Sequence, residues 1–369
     1  MVATQRAGSA QTTLQSPVID CDVHSVVPSA AALFPYLSDF WREYMTQSAF
    51  DGPYEDPYPA SMPTSIRPDA RRSDGIAPGT TLAGLQRGAL AGALGWEGNV
   101  ACAILNCSYG IESVHNPDAA AALASAVNDW HIVEWLEKDS RLRASLLVPA
   151  RQPEMAAREI ERVGDHPGFV QVYLPVHALT PYGNRIYHPI YEAATRHGLA
   201  IGIHYGGAPG NPPTPVGWPS TYVEGYADMA QLFQSQLLSL IVEGVFDRFP
   251  MLRVAMIEGG FTWLPSFMWR FDKEWKGLRR EVPWVRRPPS DYVREHVRFT
   301  TQPLDAPPTA EQFGQILDQI GSDDLLMFAT DYPHWHFDAP EKAFPFDALP
   351  ESVARKIMSD NARAFYRLG

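Results

Sequence analysis

Near the start of the chain, side chains that bind metals or move protons recur at every second position: Asp20, Asp22 and His24, preceded by the apolar pair Val18-Ile19. Side chains alternate across a β-strand, so positions i, i+2 and i+4 share one face. If that face lines a barrel, the carboxylates stand where branched apolar residues usually pack. Burying them without a partner is costly, and a bound cation removes that cost. Further donors close other apolar runs: His204 after Ile201-Gly202-Ile203, Glu258 after Met256-Ile257, and Asp331 after Phe328-Ala329-Thr330. His177, His334 and His336 lie just beyond such runs. Alone, each is weak, because a strand-end histidine is often a satisfied core residue and loop histidines are often solvated. Together they put a mixed imidazole and carboxylate set at one end of one fold. Such a set suits zinc, manganese or iron better than calcium or magnesium.

The elements that must position these groups alternate along the chain. Strand patterns run over 17–24, 100–105, 142–148, 169–174, 199–204, 252–258, 297–302 and 325–331. Helical patterns separate them, including 117–138, 154–163, 189–197 and 230–246. Repeated β-then-α units predict a parallel sheet. Eight units predict a closed (β/α)8 TIM barrel with the donors on the C-terminal strand ends, where active sites of this fold lie. Residues 17–369 read as one metal-dependent barrel domain. An inserted cap is expected over about 30–95, because the stretch from Pro53 to Pro78 is rich in Pro, Gly, Asp and Ser and too long for an ordinary connection. Its aromatics (Phe34, Tyr36, Trp41, Tyr44, Tyr54 and Tyr58) would cover an apolar substrate or simply pack the core.

The bulk properties narrow the partners. A formal net charge of −12 argues against nucleic acid and anionic membrane surfaces, while leaving a small anionic substrate and a homo-oligomer open. The three cysteines, Cys21, Cys102 and Cys107, make neither a disulfide framework nor a zinc-finger spacing. They read as buried thiols in a reducing compartment. No apolar run is long enough to span a membrane. Residues 1–16 lack a signal-peptide core and read as a disordered tail, so a cytoplasmic protein is expected.

The order Asp22-x-His24, then His204, then Asp331 in Thr-Asp-Tyr-Pro resembles the amidohydrolase-related superfamily in its decarboxylase-like branch. Supporting stretches are 244–254 (Gly-Val-Phe-Asp-Arg-Phe-Pro-Met-Leu-Arg-Val) and 361–366 (Asn-Ala-Arg-Ala-Phe-Tyr). The resemblance covers nearly the whole chain from Ile19. It implies that Asp22, His24, His204 and Asp331 bind metal, and that Asp331 handles protons. The chain departs from that branch where a histidine usually follows the sixth strand, because Glu258 stands there in Ile-Glu-Gly-Gly. A carboxylate would repel a carboxylate substrate and suits a bridging or second-metal position.

With Asp20, His177 and His334 added, the candidate ligands exceed the three or four that one open zinc site needs. The Ile-Glu-Gly-Gly barrels are similar to a group of non-heme diiron monooxygenases with coenzyme A-linked substrates. The leading expectation is such a monooxygenase, with two Fe ions, O2 and an electron donor. It would hydroxylate an apolar, CoA-thioester small molecule, with Asp331 and Glu258 as catalytic groups. The alternative is a mononuclear zinc or manganese hydrolase or non-oxidative decarboxylase with Asp331 as base. A metal-free binding protein on the same scaffold is disfavoured by the intact acidic set. Metal content and oxygen dependence separate these readings.

Overall fold

Eight strands form one sheet in chain order, each parallel to the next: β1 Val18–His24, β2 Val100–Asn106, β3 Leu142–Leu147, β4 Phe169–Pro175, β5 Ala200–His204, β6 Val254–Ile257, β7 Val297–Thr300 and β8 Leu326–Met327. The structure is a computed structural model, and it describes residues 17–54, 79–86, 100–206, 213–334 and 349–369. The expected tail, Tyr58, His336 and residues 55–78 and 87–95 of the expected cap lie outside the described residues.

The strands are buried on both faces, which is why they read as near-continuous apolar runs. The sheet closes on itself through β1 and the segment after β8. Cys21 N donates to Phe328 O at 2.9 Å, Asp331 N to Asp22 O at 3.1 Å and His24 N to Tyr332 O at 2.8 Å. These bonds tie the segment after Met327 to β1, and β8 itself is two residues long rather than the seven expected. The (β/α)8 TIM barrel expected from the alternating pattern is the fold observed.

Inside the barrel, Ile19, Cys21, Cys102, Ile104, Val170, Ala200, Ala255, Ile257 and Met327 meet Ala362, Phe365 and Tyr366. The last three belong to the C-terminal helix Asn361–Tyr366, which plugs the N-terminal end of the barrel. Arg253 and Arg298, near the starts of β6 and β7, place their guanidinium groups 5.5 and 5.9 Å from the Phe365 ring. None of the three cysteines is in a disulfide, and all three are buried.

Two sequence expectations shift. The register of β1 slips between Asp20 and Val23, so the inward set passes from Ile19 and Cys21 to Asp22 and His24. Strict alternation of Asp20, Asp22 and His24 on one face therefore fails. The helix expected over 230–246 spans Tyr222–Val242. It begins early because Glu224 accepts from the Thr221 backbone N–H at 2.7 Å, the acidic half of a capping box.

The described part of the expected cap includes the helix Asp39–Gln47. It touches segments leaving the C-terminal ends of β1 and β2: Val26 N donates to Gly79 O at 2.8 Å, and Tyr54 N to Ser113 Oγ at 2.7 Å. Phe34, Tyr36, Trp41 and Tyr44 pack against the core, and Tyr54 is exposed. Among the described residues, no helix is long and apolar enough to cross a membrane.

Candidate metal centre

Four strand ends converge at the barrel mouth. His24 closes β1 and His204 closes β5. Glu258 follows β6 and Asp331 follows the β8 segment, both in left-handed backbone, φ 65° and 58°. That conformation is uncommon for non-glycine residues and clusters at functional sites. It also swings both carboxylates off the strand direction. The Glu258 backbone is pinned by its N–H to Thr300 Oγ1 at 3.1 Å. Gly259 must lack a side chain, because a Cβ there would lie 2.7 Å from the Phe233 ring.

With Asp22 and His334, these four residues form one cluster of six side chains, five of them buried and His334 half-buried. His24 Nε2 lies 3.1 Å from Asp331 Oδ1, 3.4 Å from Asp22 Oδ1 and 3.5 Å from Glu258 Oε1. His204 Nε2 lies 3.4 Å from Asp22 Oδ1, and its Nδ1 is 2.6 Å from the carbonyl of Tyr205. His334 Nδ1 is 2.8 Å from Asp331 Oδ1 and 3.6 Å from Glu258 Oε1. The rings of His24 and His334 sit 3.8 Å apart. Two donor sets, each within 4.8 Å, could hold a cation: Asp22, His24, His204 and Glu258, and His24, Glu258, Asp331 and His334. Asp22 Oδ2, His24 Nε2 and Glu258 Oε1 are buried without a hydrogen-bond partner. Buried polar atoms are normally satisfied, so three orphans within one donor set fit a positively charged occupant.

The electrostatics agree. Burial pushes Asp331 up to about 6, and the Glu258 charge adds to that shift. Burial also opposes ionisation of Glu258, but the imidazoles of His204, His24 and His334 outweigh it and hold this carboxyl well below its usual range. His204 rises to about 9, because Glu258 and Asp22 overcome the burial that would lower it. Imidazoles held protonated against carboxylates mark a place where a metal ion can replace protons.

Of the eight side chains expected as ligands, six come together and two do not. Asp20 is turned to the closing segment, where Thr330 donates through N at 3.0 Å and Oγ1 at 2.6 Å. It belongs to neither donor set, and the slip in β1 is the cause. His177 faces backbone carbonyls instead: Nδ1 is 2.9 Å from Gly206 O and Nε2 is 3.2 Å from Pro213 O. The sequence reading missed Asn106, whose Nδ2 donates to Asp22 Oδ1 at 2.8 Å. It also missed Tyr173, whose ring lies 5.4 Å from that of His204. Asn106 carried the same signal as His204, a polar residue closing an apolar strand.

Comparison with known proteins bears on the chemistry. The amidohydrolase family model matches residues 101–368. γ-Resorcylate decarboxylase from Polaromonas sp. strain JS666 is 26% identical over 274 residues, 70% of this chain and 80% of that protein. A structure of 2,6-dihydroxybenzoate decarboxylase complexed with 2,6-dihydroxybenzoate superposes with TM-score 0.66 at 20% identity, covering 96% of this chain and all of the other. A dihydroxybenzoic acid decarboxylase from Polaromonas sp. JS666, with bound manganese and 2-nitroresorcinol, gives TM-score 0.65 at 20% identity over 96% of this chain and 97% of that one.

These relatives overturn the expectation of a non-heme diiron monooxygenase: they are decarboxylases, and they lend no support to two Fe ions, O2, an electron donor or a CoA-linked substrate. The donor count behind that expectation also shrinks, because Thr330 engages Asp20 and backbone carbonyls engage His177. The β1 donors lie outside the matched residues, yet the barrel brings them onto the same mouth as His204 and Asp331, and the chain belongs to the amidohydrolase family of metal-dependent TIM barrels.

Proposed function

We propose that this protein is a divalent-metal-dependent, non-oxidative decarboxylase of an aromatic carboxylic acid. The observation that carries the reading is the buried donor cluster with its three orphaned atoms, which includes a carboxyl, Asp331, that burial raises to about 6. The γ-resorcylate decarboxylases related to the chain supply the substrate class, and the manganese in one structural neighbour supplies a metal of the right hardness.

Asp22, His24, His204 and Glu258 would hold the ion, manganese or zinc, and Asp331 with His334 stands at its side. When bound, the ion supplies the positive charge that fixes an anionic substrate and draws electron density from it. Asp331 acts as the general acid. As the bond from ring carbon to carboxylate breaks and CO2 leaves, the electron pair stays on the ring carbon and takes up the Asp331 proton. His334 lies 2.8 Å from Asp331 with its side chain 28% exposed, so it returns a proton from the solvent side. Glu258 remains anionic, and the three imidazoles around it offset the repulsion that its charge would exert on an incoming carboxylate.

The test is turnover of hydroxylated benzoates without oxygen, read as released CO2, with metal counted by plasma mass spectrometry. The expected result is oxygen-independent CO2 release with roughly one manganese or zinc per chain. Asp331→Asn should keep the metal and lose rate by about 100-fold or more, together with the alkaline limb of the pH profile, where wild-type Asp331 loses its proton. Turnover that stops when oxygen is removed, or hydrolysis of esters or amides with no CO2 released from any hydroxybenzoate, overturns the reading.

A further inference from the structure

Between the C-terminal helix and Asp22, part of the barrel interior is polar. Asn106 of β2, Ser145 of β3 and Gln171 of β4 occupy neighbouring strands, with Ser145 paired to Gln171 in register. Their exposures are 0, 2 and 0%. The Tyr366 hydroxyl donates to Gln171 Oε1 at 2.9 Å, and Gln171 Nε2 donates to Ser145 Oγ at 2.8 Å. Ser145 Oγ donates to Asn106 Oδ1, and Asn106 Nδ2 donates to Asp22 Oδ1 at 2.8 Å.

The direction of this column follows from its upper end. An ionised carboxylate only accepts, so Asn106 presents its NH2 to Asp22 and its oxygen to Ser145. The serine hydroxyl then donates upward and accepts from the Gln171 NH2. The Gln171 oxygen is left facing Tyr366, which must donate. Burial pushes the Tyr366 hydroxyl well above its ordinary range, so it keeps that proton. Bonds aligned head to tail polarise one another, and all of these point at Asp22.

The fold makes room for the column. A Cβ at Gly202 of β5 would lie 2.8 Å from the Gln171 carboxamide. Branched apolar side chains fill such interiors in most barrels, and a polar layer is costly unless every member is satisfied. What it secures is at its end: Asn106 fixes one oxygen of Asp22, while the other, Oδ2, is buried and unpartnered beside the donor cluster.

We propose that Asn106, Ser145, Gln171 and Tyr366 are positioning residues that orient Asp22 toward the metal, so that the C-terminal helix at the far end of the barrel sets metal affinity. The inference rests on the ligand role proposed for Asp22.

Titration of chelator-stripped protein with Mn2+ alone tests it, with melting temperatures of the same stripped proteins measured separately. Tyr366→Phe keeps the ring and its packing and removes only the donor; it should weaken Mn2+ binding by about 3- to 10-fold. Asn106→Leu, next to Asp22, should weaken it by about 10- to 100-fold, the usual range for an outer-sphere partner. Asp22→Ala should abolish saturable binding. Wild-type Mn2+ affinity in Tyr366→Phe and Asn106→Leu, with Asp22→Ala unable to bind, overturns the inference and spares the metal reading. Should Asn106→Leu fail to fold, Tyr366→Phe decides alone. Wild-type affinity in Asp22→Ala overturns the ligand role and the inference together.

Discussion

Asp331 and Glu258 share one pocket, yet their surroundings drive them apart. Burial and the neighbouring charge raise Asp331, while three imidazoles outweigh burial and lower Glu258. Paired carboxylates separated in this way divide the work of proton donor and fixed charge. The residues themselves allow a sharp contrast. His24→Ala and His204→Ala should each lose bound metal while the barrel still folds, by plasma mass spectrometry and circular dichroism. Asp20→Ala should do the reverse: metal content unchanged, and stability lower by about 1–3 kcal/mol in a denaturant titration, because Thr330 loses a buried acceptor. Metal loss in Asp20→Ala would return that residue to the ligand set. Six of the eight ligands expected from sequence lie in the cluster, because each ended or closely followed an apolar strand and strand ends point to the same mouth. Asp20 and His177 carried equal signals. What separates them is the company they keep, Thr330 and two backbone carbonyls, and contacts between distant residues leave no mark in local spacing.

At the scale of elements, the helix Pro117–His131 shows how a structural histidine differs from a functional one. Asn116 caps it by accepting from Asp118 N at 3.1 Å and Ala119 N at 3.2 Å, and Pro117 presets its first turn. Its last residue, His131, is fully buried, with Nε2 2.8 Å from Ser25 Oγ just beyond β1. Burial pushes His131 down from 6.5 to about 3. The unfolded chain therefore binds a proton that the folded one rejects between those values. Stability is complete above about pH 6.5 and is lost as pH falls toward 3. Urea titrations of His131→Gln across that window should give a slope shallower by about 1.4 kcal/mol per pH unit. A slope equal to that of the wild type would show that the ring is protonated in the fold. All eight strands were legible as apolar runs. The slip in β1 was not, because a period of two presumes a regular strand, and neither was the shortening of β8, which depends on where β1 ends up.

At the scale of the molecule, the donor cluster and the barrel seam are the same place. Asp22 and His24 come from the first strand, and Asp331 and His334 from the segment that closes against it. An ion bound only by the folded state stabilises it by mass action, about 2.7 kcal/mol at 100 times its dissociation constant. Adding Mn2+ to stripped protein at that excess should therefore raise the melting temperature by about 3–4 °C, and the gain should grow with Mn2+ concentration. A melting temperature indifferent to Mn2+ would place the ion elsewhere. The seam also governs when the protein can become active during its own making. Thr330 and Asp20, bonded across it, stand 310 positions apart in the chain. Contacts that distant form late and slowly. While the chain is still being synthesised, Asp22, His24 and His204 exist without their partners. The complete six-donor cluster, with the Asp331 proton that the proposed reaction needs, is withheld until the last strand has emerged and docked against the first, so turnover waits for a finished barrel.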